Sequence, residues 1–281
     1  MEIKQAIIEA VKILNDNNIE DSFNIARILM AYTINKTKEY LIINDKEILN
    51  DEALEIYNTY INRIKGGYPL QYITKNQEFM KLDFYVDDNV LIPQPDTEIL
   101  VENVINICKT EYTGKTIRVL DLCTGSGAIA ISIKKYVDNV EVIATDISNN
   151  ALKVAEKNAR LNNVEIKLLE SDMFKDIDGK YDIIVSNPPY IEKETLQTLP
   201  KDVQYEPSLA LDGGVDGLDF YREISKNAYK YLNEGGYLAL EIGYNQKDNV
   251  IKILESEQKY EDIKCIKDLS DNDRVIISKL K

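Results

Sequence analysis

Val119-Leu120-Asp121-Leu122-Cys123-Thr124-Gly125-Ser126-Gly127-Ala128-Ile129-Ala130 carries an apolar strand into a glycine loop and the loop into a helix. Glycine lets a backbone approach a ligand closely, and the helix N-terminus behind it favours an anionic group. Alone, such a loop fits a tight turn equally well, and Ala130 stands where a dinucleotide fingerprint would help itself to a third glycine. The surrounding pattern adds weight. Apolar runs at 117–122, 140–145, 164–169, 181–186, 236–242 and 273–279 read as strands, and amphipathic stretches at 127–137, 148–161, 217–233 and 245–257 read as helices. This alternation predicts an α/β fold whose mostly parallel sheet carries helices on both faces. Ligands on such sheets lie beyond the carboxyl ends of the strands.

The polar residues fall at those ends. Asp146 follows the glycines by about twenty residues, the spacing at which a carboxylate takes two ribose hydroxyls. Ser171-Asp172-Met173-Phe174 closes the third strand and can frame an adenine ring. Asp121, Asp146, Asp172 and Asn187 thus end four successive strands, which predicts a nucleoside-type cofactor with Cys123, Thr124, Gly125, Ser126, Gly127, Asp146, Asp172, Met173 and Asn187 as its candidate binding residues. The fourth end is Ser186-Asn187-Pro188-Pro189-Tyr190, where two prolines forbid both helix and ladder pairing. An Asn offers one carbonyl oxygen and two N–H donors. Held at a strand tip beside free backbone carbonyls, it suits gripping a planar –NH2 group, although taken alone the motif also serves as a proline-rich turn.

Composition removes whole classes of chemistry. The 281 residues contain no histidine, so Ser-His-Asp triads, Cys-His pairs and His-ligated metals are out, and no metal site is expected. Three widely spaced cysteines suggest neither a disulfide framework nor a metal cluster and point to the cytoplasm. No run approaches the roughly 18–20 apolar residues of a membrane span, and Glu2, Lys4, Glu9 and Lys12 make the N-terminus an amphipathic helix rather than a signal peptide. The net charge is −14, with 34 basic residues against 48 acidic ones, which argues against direct nucleic-acid binding through phosphates. Residues 1–75 carry only −2 of that charge, making them the less repulsive surface toward a polyanionic partner.

Residues 1–75 are predicted as a separate helical domain. Ile3, Ala6, Ile7, Ala10, Val11 and Leu14 form one stripe, and Ile25, Ile28, Leu29 and Tyr32 another. Asp21-Ser22 and Asn50-Asp51 are candidate caps, and a helix from Ile48 to Ile64 stops at Gly66-Gly67. Residues 76–95 read as a hairpin linker turning at Asp87-Asp88-Asn89, after which Asp96-Thr97-Glu98 opens a helix and the domain 96–281.

The strand-end set resembles the class I S-adenosylmethionine-dependent methyltransferases, within which Asn-Pro-Pro-Tyr marks enzymes that methylate a planar nitrogen. A longer series resembles the HemK family of peptide chain release factor glutamine N(5)-methyltransferases. It comprises Gly66-Gly67-Tyr68-Pro69-Leu70-Gln71-Tyr72-Ile73, Glu78-Phe79, Leu91-Ile92-Pro93-Gln94-Pro95-Asp96-Thr97-Glu98, Val119 to Ile133 and Asn187 to Tyr190. Tyr205-Glu206-Pro207 with Ala210-Leu211, Gly214 to Leu218, Leu240-Glu241-Ile242-Gly243 with Gln246, and Asp273-Arg274-Val275 continue it. The resemblance spans residues 63–281 and implies a Rossmann-like class I methyltransferase sheet, S-adenosyl-L-methionine as cofactor, and a monomer. It further implies that the acceptor is the glutamine of the Gly-Gly-Gln loop of class 1 release factors, with the N-terminal helices contacting the factor. By the same resemblance Asn187, Pro188 and Tyr190 are catalytic, and Asn187, Pro188, Pro189 and Tyr190 bind the acceptor. Gln94 stands where the family commonly has Arg, Met173 where an aromatic is frequent, and Cys123 where Gly is frequent, a place a Cys fits if its φ is negative.

Other readings of the same residues stay open. The clamp would also serve a ribosomal-protein glutamine or an exocyclic amine of a nucleic-acid base, which an enzyme must first flip out. Glu206-Pro207 and Asp212-Gly213-Gly214 either line the acceptor channel or form a structured surface loop, and Glu241 is either a helper acid or a plain strand end.

Overall fold

The computed structural model describes residues 1–281. Its chain divides into two compact units, residues 1–75 with 200–205, and residues 76–199 with 206–281.

The first unit packs α1 (Ile3–Asp16), α2 (Ser22–Thr33), α3 (Lys38–Ile43), α4 (Asp51–Lys65) and α5 (Leu70–Thr74). Ile3, Leu14, Leu29, Met30, Tyr57 and Ile61 are buried together, each helix turning its apolar stripe inward. Asn50 caps α4 as its sequence suggests, its side-chain oxygen accepting from the Ala53 amide at 2.7 Å. Asp21 does not cap α2: it sits in the left-handed region at φ 50°, and its carboxylate accepts instead from the Asn24 side chain at 3.0 Å.

In the second unit, β1 (Gln77–Phe79) and β2 (Leu82–Phe84) form a two-stranded hairpin. It is shorter than expected and turns at Met80-Lys81, both at positive φ, rather than at Asp87-Asp88-Asn89. Asp87 makes a separate local turn, its carboxylate accepting from the Asn89 amide at 3.0 Å. Then follow α6 (Pro95–Glu111), β3 (Ile117–Leu122), α7 (Ala128–Tyr136), β4 (Val140–Asp146), α8 (Asn149–Leu161), β5 (Lys167–Glu170) and β6 (Tyr181–Ser186). The chain closes with α9 (Ser208–Leu211), α10 (Asp219–Ala228), β7 (Leu232–Glu241), α11 (Lys247–Ser256), β8 (Tyr260–Lys267) and β9 (Asp273–Leu280).

Seven strands form one sheet in the order β5-β4-β3-β6-β7-β9-β8, with β9 antiparallel to both neighbours and the other pairings parallel. Side chains alternate between two cores: Val119, Ile183 and Val185 face one, and Leu120, Leu122 and Ile184 the other. The chain moves from β3 outward through β4 to β5, then returns to place β6 on the far side of β3. The strand order therefore reverses between β3 and β6, and a crevice opens beyond their carboxyl ends. β8 escaped the sequence reading, because it is an edge strand with mostly exposed residues, interrupted by register shifts.

Candidate active site

Parallel register places Leu122 opposite Ser186, so the glycine loop after β3 and the Asn-Pro-Pro-Tyr segment after β6 leave the sheet side by side. The buried Ser186 hydroxyl donates to the Leu122 carbonyl at 2.8 Å, tying the two ends. The Thr124 amide donates to the Thr145 carbonyl at 2.9 Å, and the Gly125 amide to the Asp146 carboxylate at 2.9 Å, stitching the loop to β4. Gly127 has φ +81°, and a Cβ there would lie 2.9 Å from Ile131 and 3.1 Å from Ala155, so close helix packing requires glycine. At Gly125 a Cβ would meet nothing within 4 Å: that stretch of backbone faces open space.

Cys123 corrects an expectation. Its φ is +59°, not negative, a conformation costing a non-glycine residue roughly 1 kcal/mol. Its sulfhydryl lies 3.9 Å from the Met173 sulfur against the second core, packing that offsets the strain.

Asp121 also departs from the picture of four ligand-facing strand ends. It is fully buried and accepts from the Thr124 hydroxyl at 2.6 Å, while its other oxygen has no partner. It braces the loop from below.

Asp146 does reach the crevice. One oxygen accepts from Gly125 and the other from the Ser148 amide at 2.8 Å, leaving each a free lone pair on a fixed carboxylate. Burial raises its pKa, and those backbone donors oppose the rise. Past β5, Met173 is buried at φ 51°, and Asp172 pairs with Lys175 at the rim.

These elements enclose an open cleft beyond the strand ends. Cys123, Gly125, Asp146, Asp172, Met173, Asn187 and Pro189 line it. Thr124, Ser126, Gly127 and Tyr190 are not among the lining residues, and Pro188, also not among them, sits between two that are, Asn187 and Pro189. The sequence reading missed Asn89, Val90, Leu91 and Phe220, which also line the cleft. Asn89 was assigned to a hairpin turn, and a loop residue packed across from a strand end leaves no periodic signal. The linker is held there by specific bonds. Asn158, wholly buried on α8, bridges the Tyr85 backbone and the Ser126 carbonyl, and Glu206 accepts from the Ile92 amide at 2.9 Å. Of the two loops with alternative readings, Pro207 lines the cleft, while Glu206, Asp212, Gly213 and Gly214 do not.

Behind Asn187 lies a buried polar group drawn from four elements. The Asn187 amide nitrogen donates to the Thr97 hydroxyl of α6 at 3.2 Å, and the buried Glu241 carboxylate at the end of β7 neighbours both side chains. Arg274 of β9 pairs with Asp96 at 3.0 Å and Asp268 at 3.2 Å, and stands beside the Tyr190 hydroxyl. The Tyr190 ring packs on the second core, and burial raises its pKa. Its carbonyl accepts from the Gln246 side chain at 2.9 Å.

Two expectations follow from this shell. A Cβ on Gly213 would fall 2.7 Å from Tyr190 Cα and 2.8 Å from its carbonyl carbon, both backbone atoms that cannot swing aside. Gly213→Ala is therefore expected to cost about 1–3 kcal/mol, read from urea denaturation, and to lower activity by displacing the Pro189-Tyr190 segment.

The second concerns pH. Burial pushes both Asp121 and Glu241 up to about 7, whereas an unfolded carboxyl titrates near roughly 4. Between those values the folded chain binds more protons than the unfolded one, so stability is greatest at the acid end and falls as pH rises through the folded values. Urea unfolding of Glu241→Gln beside the wild type is expected to show the variant's relative stability growing from about pH 5 to about pH 8. A difference independent of pH would contradict this.

The methyltransferase small domain family matches residues 95–202, and the PrmC N-terminal domain family matches residues 5–74. A release factor glutamine methyltransferase of Clostridium acetobutylicum is 43% identical over 284 residues, covering 99% of this chain and 98% of that protein. One of Moorella thermoacetica is 40% identical over 284 residues, with 99% and 98% covered. Among solved structures, a 16S rRNA N2 G1207 methyltransferase of T. thermophilus in complex with AdoMet and guanosine is 18% identical, a likeness of fold alone. It covers 73% of this chain and 50% of that one, with a TM-score of 0.53.

Proposed function

Since the chain belongs to the family of release factor glutamine methyltransferases, we infer that it methylates the side-chain amide nitrogen of the glutamine in the Gly-Gly-Gln motif of class 1 release factors. The observation that carries this reading is the two-sided cleft, with Asp146 and the glycine loop on one wall and Asn187 and Pro189 on the other. S-adenosyl-L-methionine, when bound, supplies a methyl group on a positively charged sulfur, open to in-line displacement.

The residues fit that cofactor. Asp146 presents a carboxylate for two ribose hydroxyls, Gly125 leaves its backbone open to the ligand, and Met173 with Ile147 gives an apolar wall for the adenine. On the acceptor side, the Asn187 and Pro188 carbonyls accept hydrogen bonds from the two N–H groups of the glutamine amide, one of whose protons passes to solvent as the N–methyl bond forms. That bonding orients the nitrogen toward the methyl group and keeps electron density on it, a positioning effect. Tyr190 we assign to holding this segment against the core, since its ring lies behind the lining.

The N-terminal unit, residues 1–75, would contact the release factor. Ile42, Ile43 and Ile48 are exposed there, apolar surface available to a protein partner. The reaction so described needs no second copy of the chain and belongs in the cytoplasm, where release factors work. No helix is long and apolar enough to cross a membrane.

The test is incubation of the protein with labelled S-adenosylmethionine and, separately, purified class 1 release factor, ribosomal proteins, RNA and DNA. Label on the release factor supports the assignment. Label only on a nucleic acid or a ribosomal protein moves the acceptor to that class.

A further inference from the structure

Asn187 can grip an –NH2 group only if its own amide is turned the right way. Its oxygen must face the acceptor; turned over, it would set donors against donors. What fixes that choice is where its two N–H hydrogens go. One donates to Thr97 Oγ1 at 3.2 Å. The buried Glu241 carboxylate stands next to both residues, and the Thr97 and Asn187 side chains are the polar neighbours that favour its charged form. With one hydrogen on Thr97 and a carboxylate as the acceptor beside the other, the carbonyl oxygen is the polar atom left for the cleft.

We propose that Glu241 is a positioning residue which, with Thr97, locks the Asn187 amide with its carbonyl toward the acceptor nitrogen. Strand register sets this up. β6 and β7 are parallel neighbours with Ser186 opposite Leu240, so Asn187 and Glu241 are the next residues along adjacent strands. Thr97 comes from the first turn of α6, which the Asp96–Arg274 pair holds against β9. Glu241 is 2% exposed and its second oxygen has no partner. Such a group costs stability, and a buried carboxyl kept at that cost beside a cleft marks a functional constraint.

The lock rests on the glutamine-methylation reading, and its test separates the two. Glu241→Gln, Glu241→Leu and Thr97→Val are made in the full chain. Each is assayed for kcat and KM with purified class 1 release factor, and for S-adenosylmethionine affinity by calorimetry. Glu241→Leu removes the acceptor, and kcat is expected to fall roughly 100-fold, the scale of a misplaced reacting group, with cofactor Kd within about twofold of wild type. Glu241→Gln keeps an acceptor oxygen and is expected to retain kcat within about threefold, the scale of a single neutral hydrogen bond. Thr97→Val is expected to lose about tenfold.

A role limited to charge balance with Arg274 would make the glutamine variant as poor as the leucine one, and that result overturns the lock. So does full activity in Glu241→Leu. Should Glu241→Leu fail to fold, Thr97→Val decides: unchanged kcat overturns the lock, and a loss at unchanged cofactor affinity upholds it. If the wild type transfers no methyl to any release factor, the functional reading fails first and takes the lock with it.

Discussion

Asn187→Ala is expected to abolish methyl transfer, with kcat falling by about a thousandfold or more. Cofactor affinity should change by less than about threefold, no more than one neutral hydrogen bond. Asn187 lines the cleft at the end of β6, and in the function proposed above its carbonyl accepts one hydrogen of the substrate amide. Without it the glutamine nitrogen keeps only the Pro188 carbonyl, and a single bond leaves the group free to rotate about it. The ribose-side groups on β4 are untouched, which is why binding and chemistry should separate. Calorimetry for S-adenosylmethionine beside a single-turnover methylation assay reads both. Retained turnover would refute the clamp.

Asp146→Ala is expected to act on the other wall, raising the S-adenosylmethionine Kd by about 100- to 10,000-fold. Two charge-assisted hydrogen bonds to ribose are lost at about 1.5–3 kcal/mol each, and the Gly125 amide loses its partner at 2.9 Å, loosening the loop itself. At saturating cofactor, turnover should recover to within about tenfold of wild type, because Asn187 and its shell remain in place. An unchanged Kd would remove Asp146 from the ribose site.

The two walls were legible to different degrees, for physical reasons. The strand-loop-helix run at 117–136 announces itself because hydrophobic period changes from two to helical across a pair of glycines. Asp146 and Asn187 are visible because they end buried strands. The hairpin turn at Met80-Lys81 is not, since neither residue is one that prefers positive φ, and contacts from β1 and β2 must impose it. β8 fails to show because an edge strand in water tolerates Glu261, Asp262 and Lys264 where a central strand would not. The positive φ of Cys123 has no residue signal at all.

The shell behind the acceptor was hidden for another reason. Thr97 reads as a helix-opening residue, Glu241 as the end of a strand and Arg274 as part of a family motif, and their sequence separations carry no periodicity. Only the order β6-β7-β9, with α6 packed against it, brings them to one place. The motif letters around Asn-Pro-Pro-Tyr thereby gain a mechanical meaning. Gln246 pins the Tyr190 carbonyl, Gly213 makes room for its backbone, and Glu206 ties down the linker.

The central claim is that Asn187 and its neighbours hold a glutamine amide nitrogen toward the cofactor. Tandem mass spectrometry of a class 1 release factor after reaction with the wild-type protein tests it most directly. The account predicts one added methyl group, on the side-chain nitrogen of the Gly-Gly-Gln glutamine, and none when that glutamine is replaced by glutamate. A methyl group on any other residue, or undiminished labelling of the glutamate variant, would contradict it.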